Sequence, residues 1–171
     1  MSLQKDLLLQ AQMLASREPK HPRQASLRRA VSTAYYALFH LLVSDSLEKV
    51  IQADARNYVQ RVFEHGNMKT VCVAWSKAKP PDYKDVSPVT ARMIIPPIEA
   101  EIQSVATTFK DLQEARHEAD YDTALQQDPA NVAALLLRVE RAFTDWTTVR
   151  NTPNAKVFLT ALMFEKLRKQ R

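Results

Sequence analysis

The least loop-like stretch of the chain runs from Leu27 to Asp45. On a helical wheel its apolar residues fall on two sides, with Tyr36, Phe39 and Val43 opposite the larger apolar side. That larger side consists of Leu27, Val31, Ala34, Leu38, Leu41 and Leu42. A helix that is apolar on two sides predicts a central helix covered by other helices or by a second subunit, and we expect a homodimer. The apolar part is shorter than the roughly 20 residues that cross a bilayer, which indicates a core helix and no membrane association.

A second long helix is predicted from about Pro97, because proline suits a first helical turn. Its apolar stripe advances in steps of four and three through Ile98, Ile102, Val105, Phe109 and Leu112. Arg116 takes the next position of that stripe, where a core residue is expected. A buried guanidinium needs a carboxylate, carbonyl groups or an anionic ligand, and Asp120, one turn later, is the nearest candidate. An internal ion pair and a ligand site both fit this spacing.

Prolines, caps and the only glycine divide the rest of the chain into shorter elements. Ser2 predicts the start of a first helix, which looks amphipathic and unlike a signal peptide. The apolar side of that helix is Leu3, Leu7, Met13 and Leu14. We expect a third helix over 53–64, closed by Gly66 as a C-terminal cap, and a fourth over 67–78. The segment from Lys79 to about Pro88 is expected to be an exposed, mobile loop.

Two helix starts near the end of the chain are predicted by a capping residue followed by proline. They are Asp128–Pro129 and Thr152–Pro153, and the last helix ends in a basic segment. The pattern as a whole predicts an all-α fold, an up-and-down bundle of four to five core helices plus a C-terminal helix. We expect a single domain over 1–171, with its core at about 3–150 and the C-terminal helix at 152–171.

Composition supports this fold class and narrows the chemistry. One glycine in 171 residues disfavours β-hairpins and phosphate-cradling loops, and with them P-loop and Rossmann chemistry. The single Cys72 fits a reducing, cytoplasmic setting and an inert core thiol. A net charge of +5 is compatible with an anionic partner without requiring one.

No pattern in the sequence predicts a metal or cofactor site. The four histidines are far apart and form no His-x-x-x-His or Glu-x-x-His ligand pair. They are His21, His40, His65 and His117. A nucleophile elbow is also missing from the sequence. We therefore expect no metal and no cofactor.

Two segments resemble the HEPN domain family. Ala30 to Leu42, AVSTAYYALFHLL, is similar to that family's Ser-x-x-Tyr-Tyr-x-x-Phe-His helix, and Ala115 to Asp122, ARHEADYD, is similar to its later Arg-x-x-Ala-Asp-Tyr signature. The resemblance covers roughly residues 3–150. It implies a bundle of four or five helices, commonly a homodimer. Members are often toxins of toxin–antitoxin pairs or parts of defence and RNA-processing systems, and many are metal-independent ribonucleases.

The catalytic signature of those ribonucleases is an arginine followed, after four to six intervening residues, by a histidine. In this chain the corresponding positions after Arg116 hold Tyr121, Asp122 and Thr123. If the chain is an enzyme, the resemblance implies a metal-independent endoribonuclease. We expect a variant or lost ribonuclease motif.

The first hypothesis for function is therefore an HEPN-like domain that binds a nucleotide or RNA. Arg116 holds a phosphate, Asp120 and Tyr121 shape the pocket, and the central helix forms the opposite wall. The candidate ligand-binding residues are Arg116, Asp120, Tyr121, His40, Tyr36 and Ser32.

The alternative hypothesis is a non-catalytic, dimeric helical module that binds a partner protein, such as a cognate nucleotidyltransferase or an antitoxin. Under this hypothesis Arg116 and Asp120 form an internal ion pair. Tyr36, Phe39 and Val43 then form the face between the two subunits.

Overall fold

The computed structural model describes residues 2–55, 62–80 and 83–169, with the side chains of the last range described up to residue 164. Within these ranges the chain forms seven α-helices and no strand, which confirms the all-α prediction. The helices are α1 (Leu3–Ser16), α2 (Gln24–Val50), α3 (His65–Lys77), α4 (Pro88–Met93), α5 (Ala100–Tyr121), α6 (Pro129–Val149) and α7 (Pro153–Lys169).

Hydrogen bonds between helices show how the bundle is arranged. Ser32, in the first half of α2, donates to Asp120 near the end of α5, so these two packed helices run in opposite directions. Ser104, near the start of α5, donates to Asp145 near the end of α6 over 2.7 Å, which makes α5 and α6 antiparallel as well. This alternation agrees with an up-and-down bundle.

α2 lies at the centre, as its two-sided apolar pattern predicts. Fifteen of its 27 residues are buried, and the helix contacts α1, α5, α6 and α7. Phe39 and Val43, on the second apolar side, are covered within the chain at 9% and 5% exposure. A second subunit is therefore not needed to bury this side, and homodimerisation stays a prediction. The more exposed positions form a narrow strip along the helix that includes Arg29, Tyr36 and His40.

The predicted elements of the second half of the chain are confirmed. The apolar stripe of α5 is buried from Ile102 to Leu112, although the helix begins at Ala100 and not at Pro97. Asp128 caps α6 by accepting hydrogen bonds from the backbone N–H groups of Ala130 (2.7 Å) and Asn131 (3.0 Å). α7 begins at Pro153, as predicted. The side chains of its basic end are outside the part of the chain that the structure describes.

The predicted apolar side of α1 is wrong in part. Leu3 and Met13 are 57% and 64% exposed, whereas Ala11 is fully buried. Ala11 is the buried residue of α1. Its small side chain gives only a weak signal in a hydrophobic pattern. Ser2 is the N-cap residue, as predicted, but its side chain makes no capping hydrogen bond.

The predicted cap at Gly66 is also wrong. α3 begins at His65, so Gly66 lies in the first turn of a helix, and its backbone φ is not positive. Of the expected helix over 53–64, the structure describes Ala53–Ala55, a 3₁₀ turn, and residues 62–64, which are not α-helical. Residues 56–61 lie outside the described ranges.

The segment expected to be an exposed loop is partly buried. Tyr83 and Val86 are only 2% and 6% exposed, because both side chains join the hydrophobic core. The short helix α4 follows at Pro88, with Ser87 as its cap. In the described part of the chain, no helix combines the length and the apolarity that crossing a membrane requires.

A buried carboxylate joins α2 to α6 at the end opposite Arg116. Asp45, whose side chain is 3% exposed, accepts hydrogen bonds from Trp146 Nε1 at 2.8 Å and from Arg150 Nη2 at 2.7 Å. Burial raises the pKa of Asp45, and the bond from Trp146 and the charge of Arg150 oppose that rise. Each oxygen of Asp45 has its own donor, as a buried carboxylate requires.

We predict that Asp45→Ala lowers the free energy of unfolding by ~3–5 kcal/mol, because it removes the acceptor of the buried Trp146 N–H and the nearer carboxylate of Arg150. Arg150 then keeps only the longer contact with Glu48, at 3.8 Å. Chemical denaturation followed by circular dichroism measures this loss. Glu118→Ala is the control, since Glu118 is an exposed carboxylate on α5. Equal effects of the two substitutions would show that Asp45 has no special role in stability.

Candidate functional site

Arg116 lies at the inner end of the α5 stripe, with its side chain 19% exposed. Its Nε atom is 2.7 Å from Oδ2 of Asp120, one turn later on the same helix. The other oxygen of Asp120, Oδ1, accepts a short hydrogen bond from the Ser32 hydroxyl of α2. The ion pair predicted from the spacing is therefore formed, and Ser32 holds the carboxylate from the neighbouring helix.

The contact between Arg116 and Asp120 is close without being a well-formed hydrogen bond. The Nε atom is buried, and its N–H finds no acceptor in good geometry among the described residues. The hydrogen bond that Arg116 does make is long, 3.3 Å from Nη2 to the Tyr36 hydroxyl. A guanidinium has five N–H groups, so most of the donors of Arg116 make no hydrogen bond to the described residues.

Three tyrosine rings surround the Arg116 guanidinium. Its Cζ atom lies 5.9 Å from the ring centre of Tyr35, 5.8 Å from Tyr36 and 5.7 Å from Tyr121, within range of cation–π attraction. Burial lowers the pKa of Arg116, but the surrounding tyrosines and Asp120 outweigh this effect and raise the pKa. The group is a permanent cation, held in position largely by aromatic rings.

An open cavity of about 510 Å³ lies beside Arg116, between the start of α2 and the end of α5. We call it the Arg116 pocket. Its lining residues are Ala25, Arg28, Arg29, Ser32, Tyr36, Arg116, Ala119, Asp120 and Tyr121. Five of the six candidate residues from the sequence are therefore brought together. His40 is not part of the lining, because it lies one turn further along α2, with its ring centre 6.4 Å from that of Tyr36.

Two arginines of this pocket, Arg28 and Arg29, were missed by the sequence analysis. Arg28 is structural, since it donates to the backbone carbonyls of Ala119 at 2.8 Å and Asp122 at 2.9 Å, and closely to that of Leu125. It thereby fixes the end of α5. Arg29 is exposed and has no ion-pair partner among the described residues.

The sequence did contain a signal for Arg29. Arg29, Ser32 and Tyr36 follow a spacing of three and four, which places them on one face of α2. Ser32 and Tyr36 are candidates from the sequence, and the arginine one turn earlier belongs to the same face.

His65 is a further residue near Arg116 that the sequence analysis did not place there. Its Nδ1 atom lies 2.6 Å from the buried Tyr35 hydroxyl, and its ring centre is 4.6 Å from that of Phe39. Burial lowers the pKa of His65, and the nearby charges of Arg116 and His40 lower it further. Burial also lowers the pKa of His40. Two imidazoles with a reduced tendency to become charged therefore lie behind the Arg116 pocket.

A sequence signal for His65 also existed. His65 precedes Met68, Cys72 and Trp75 at steps of three, four and three, so it continues the buried stripe of α3. The same reasoning had identified Arg116 on α5. The predicted helix end at Gly66 separates His65 from this stripe, so the predicted elements do not single it out.

The described residues give no support for a metal site or a reactive thiol. They contain no group of three or more histidine, cysteine, aspartate or glutamate side chains that is able to hold a metal ion. Cys72 is fully buried, and burial raises the pKa of its thiol, so it is an inert core residue as expected. Five of the six candidate residues share one polar pocket.

Comparisons of the chain with protein-family models, with curated proteins and with solved structures found no match. The resemblance to the HEPN family thus rests on the two sequence segments alone.

We predict that the adjacent arginines Arg28 and Arg29 differ in their effect on stability. Arg28→Ala removes the donor for three backbone carbonyls and lowers the free energy of unfolding by ~1–3 kcal/mol. Arg29→Ala removes the same charge from an exposed position and changes it by less than about 0.5 kcal/mol. Parallel urea denaturation of the two variants and the unmodified protein checks this prediction. A loss for Arg29→Ala as large as that for Arg28→Ala would contradict it.

Proposed function

We propose that the chain is an HEPN-like domain that binds the phosphate of a nucleotide or RNA in the Arg116 pocket and carries a variant ribonuclease motif. The single observation that supports this most is the joint placement of Arg29, Arg116, Tyr36 and Tyr121 around one open cavity. This combination suits a nucleotide, because the arginines bind its phosphate and the tyrosine rings stack on its base.

The charge of the pocket favours an anion. Its lining holds three guanidinium groups and one carboxylate. Arg28 is committed to backbone carbonyls, whereas Arg29 and most donors of Arg116 remain available for a ligand. Arginine binds phosphate well because its fork of N–H groups matches two phosphate oxygens at once.

The aromatic residues favour a ligand with a base. Tyr121 is 65% exposed and lies at the pocket, with its ring against Arg116 on one side and 5.0 Å from the His117 ring centre. An exposed tyrosine fixed by its neighbours is a suitable surface for base stacking. A volume of about 510 Å³ is within the range of small-ligand sites.

The partner-protein hypothesis is supported by a different observation. Arg116 already has a carboxylate at 2.7 Å, and that carboxylate is anchored by Ser32. An arginine whose charge is already paired within the chain requires no ligand to balance that charge. The two hypotheses differ in what the loss of Arg116 does to binding and to stability.

We predict that Arg116→Ala weakens binding of AMP and of a fluorescein-labelled oligoadenylate RNA by roughly tenfold or more, equivalent to ~1.4 kcal/mol. Isothermal titration and fluorescence anisotropy measure the two affinities at fixed salt, because phosphate contacts depend on salt. Arg92→Ala is the control, since it removes one exposed arginine on α4, away from the pocket.

Thermal unfolding of the same Arg116→Ala variant distinguishes the two hypotheses. A large loss of stability with unchanged ligand binding supports the internal ion pair of a partner-binding module. A modest loss of stability with lost binding supports the nucleotide site, because the two side chains are 19% and 24% exposed and their pair is only partly buried.

We also predict little or no cleavage of single-stranded RNA in the presence of EDTA. Tyr121 stands where the family signature has its histidine, and neither His40 nor His65 lines the pocket. Single-turnover assays with labelled RNA measure this. Robust cleavage that Arg116→Ala abolishes would contradict the variant motif and indicate a true ribonuclease, and loss of cleavage in His65→Ala would then identify the imidazole involved.

A further inference from the structure

We propose that Asp120 is a built-in competitor of the ligand: its carboxylate occupies the Nε edge of Arg116, so that a phosphate that engages this edge has to displace it. This inference rests on the proposed function, since it concerns the regulation of the same pocket. It assigns Asp120 a role opposite to that of a residue that contacts the ligand.

Both oxygens of Asp120 are committed in the empty pocket. Oδ2 lies 2.7 Å from Arg116 Nε, and Oδ1 accepts a hydrogen bond from Ser32. Ser32 is only 3% exposed, so its hydroxyl is fixed inside the bundle and points at the carboxylate. Ser32 of the neighbouring helix α2 therefore holds Asp120 against Arg116. The spacing of four residues between Arg116 and Asp120 does not by itself determine this contact.

Arg116 does not need Asp120 to stay in place. The rings of Tyr35, Tyr36 and Tyr121 surround its guanidinium, and Tyr35 is fully buried. The contact with Asp120 also leaves the Nε hydrogen without a well-aligned acceptor. A carboxylate that is poorly aligned with the Arg116 Nε–H group and is not required to position Arg116 is an occupant that a better-aligned acceptor displaces.

A phosphate and the Asp120 carboxylate exclude each other at this site. Asp120 Oδ2 lies on the Nε edge of Arg116, where a phosphate oxygen would otherwise bind, and two anions a few ångströms apart repel each other. The Asp120 side chain is 24% exposed, so it is able to turn towards solvent when a phosphate arrives. Ligand binding then includes the cost of breaking the contacts of Asp120 with Arg116 and Ser32, which lowers the affinity.

The test is the affinity of four variants for AMP and for a fluorescein-labelled oligoadenylate RNA at fixed salt. Asp120→Asn removes the competing charge, and we expect binding roughly tenfold tighter than that of the unmodified protein, equivalent to ~1.4 kcal/mol. Ser32→Ala releases Asp120 without changing the net charge, and we expect a smaller gain in the same direction. Arg116→Ala loses binding.

Glu118→Gln is the matched control for the charge change. Glu118 is an exposed carboxylate on the same helix, it lines a different cavity, and it has no ion-pair partner among the described residues. We expect its affinity to stay within about twofold of the unmodified protein, which corresponds to less than about 0.5 kcal/mol.

The possible results separate this inference from the proposed function. If Arg116→Ala loses binding but Asp120→Asn and Ser32→Ala bind no more tightly than Glu118→Gln, the competitor role is overturned and the nucleotide site stands. If no variant binds either probe, the nucleotide site is overturned, and the competitor role with it. The charge-neutral Ser32→Ala variant decides the question if Asp120→Asn does not fold.

Discussion

The burial of α2 is the constraint on which the rest of the structure depends. Four helices pack around it, and α5 does so in the opposite direction, so that the end of α5 lies beside the first half of α2. What remains accessible is a narrow strip that includes Arg29, Tyr36 and His40. The Arg116 pocket opens onto this strip. The same packing that covers the core thus determines which polar side chains of α2 are able to meet a ligand.

α5 separates two surfaces of opposite charge. The Arg116 pocket on one side contains three arginines, whereas a cavity of about 540 Å³ on the other side is lined by Asp111, Glu114 and Glu118 together with Arg138. The net charge of +5 is a sum over the whole chain and does not show that the two sides of α5 differ in charge. An anionic ligand is favoured at one side of a single helix only, and this local field is more informative about function than the charge of the whole chain.

Much of the fold was predictable because its signals are local. The two-sided pattern of α2, the stripe of α5 and the cap at Asp128 each follow from residues within a few turns. The five candidate residues that share one pocket lie on α2 and α5, two correctly predicted helices, but their meeting depends on how these helices pack. Arg28 was missed because its role depends on which helix packs beside it, and His65 was missed because a helix end was predicted at Gly66. Ala11 was missed because a small residue gives a weak hydrophobic signal.

The state of the Arg116 guanidinium links the fold to the function, because tyrosines position it and Asp120 competes for it. Its side-chain Nε–Hε signal in ¹⁵N NMR spectra, assigned by its loss in Arg116→Lys, reports directly on this group. On titration with AMP, the Arg116 signal is expected to shift in proportion to binding. The signal of Arg150 is expected to stay in place, because Arg150 is bound to buried Asp45 at the other end of α2. An Arg116 signal that does not move while AMP binds elsewhere would contradict the central role given to this residue.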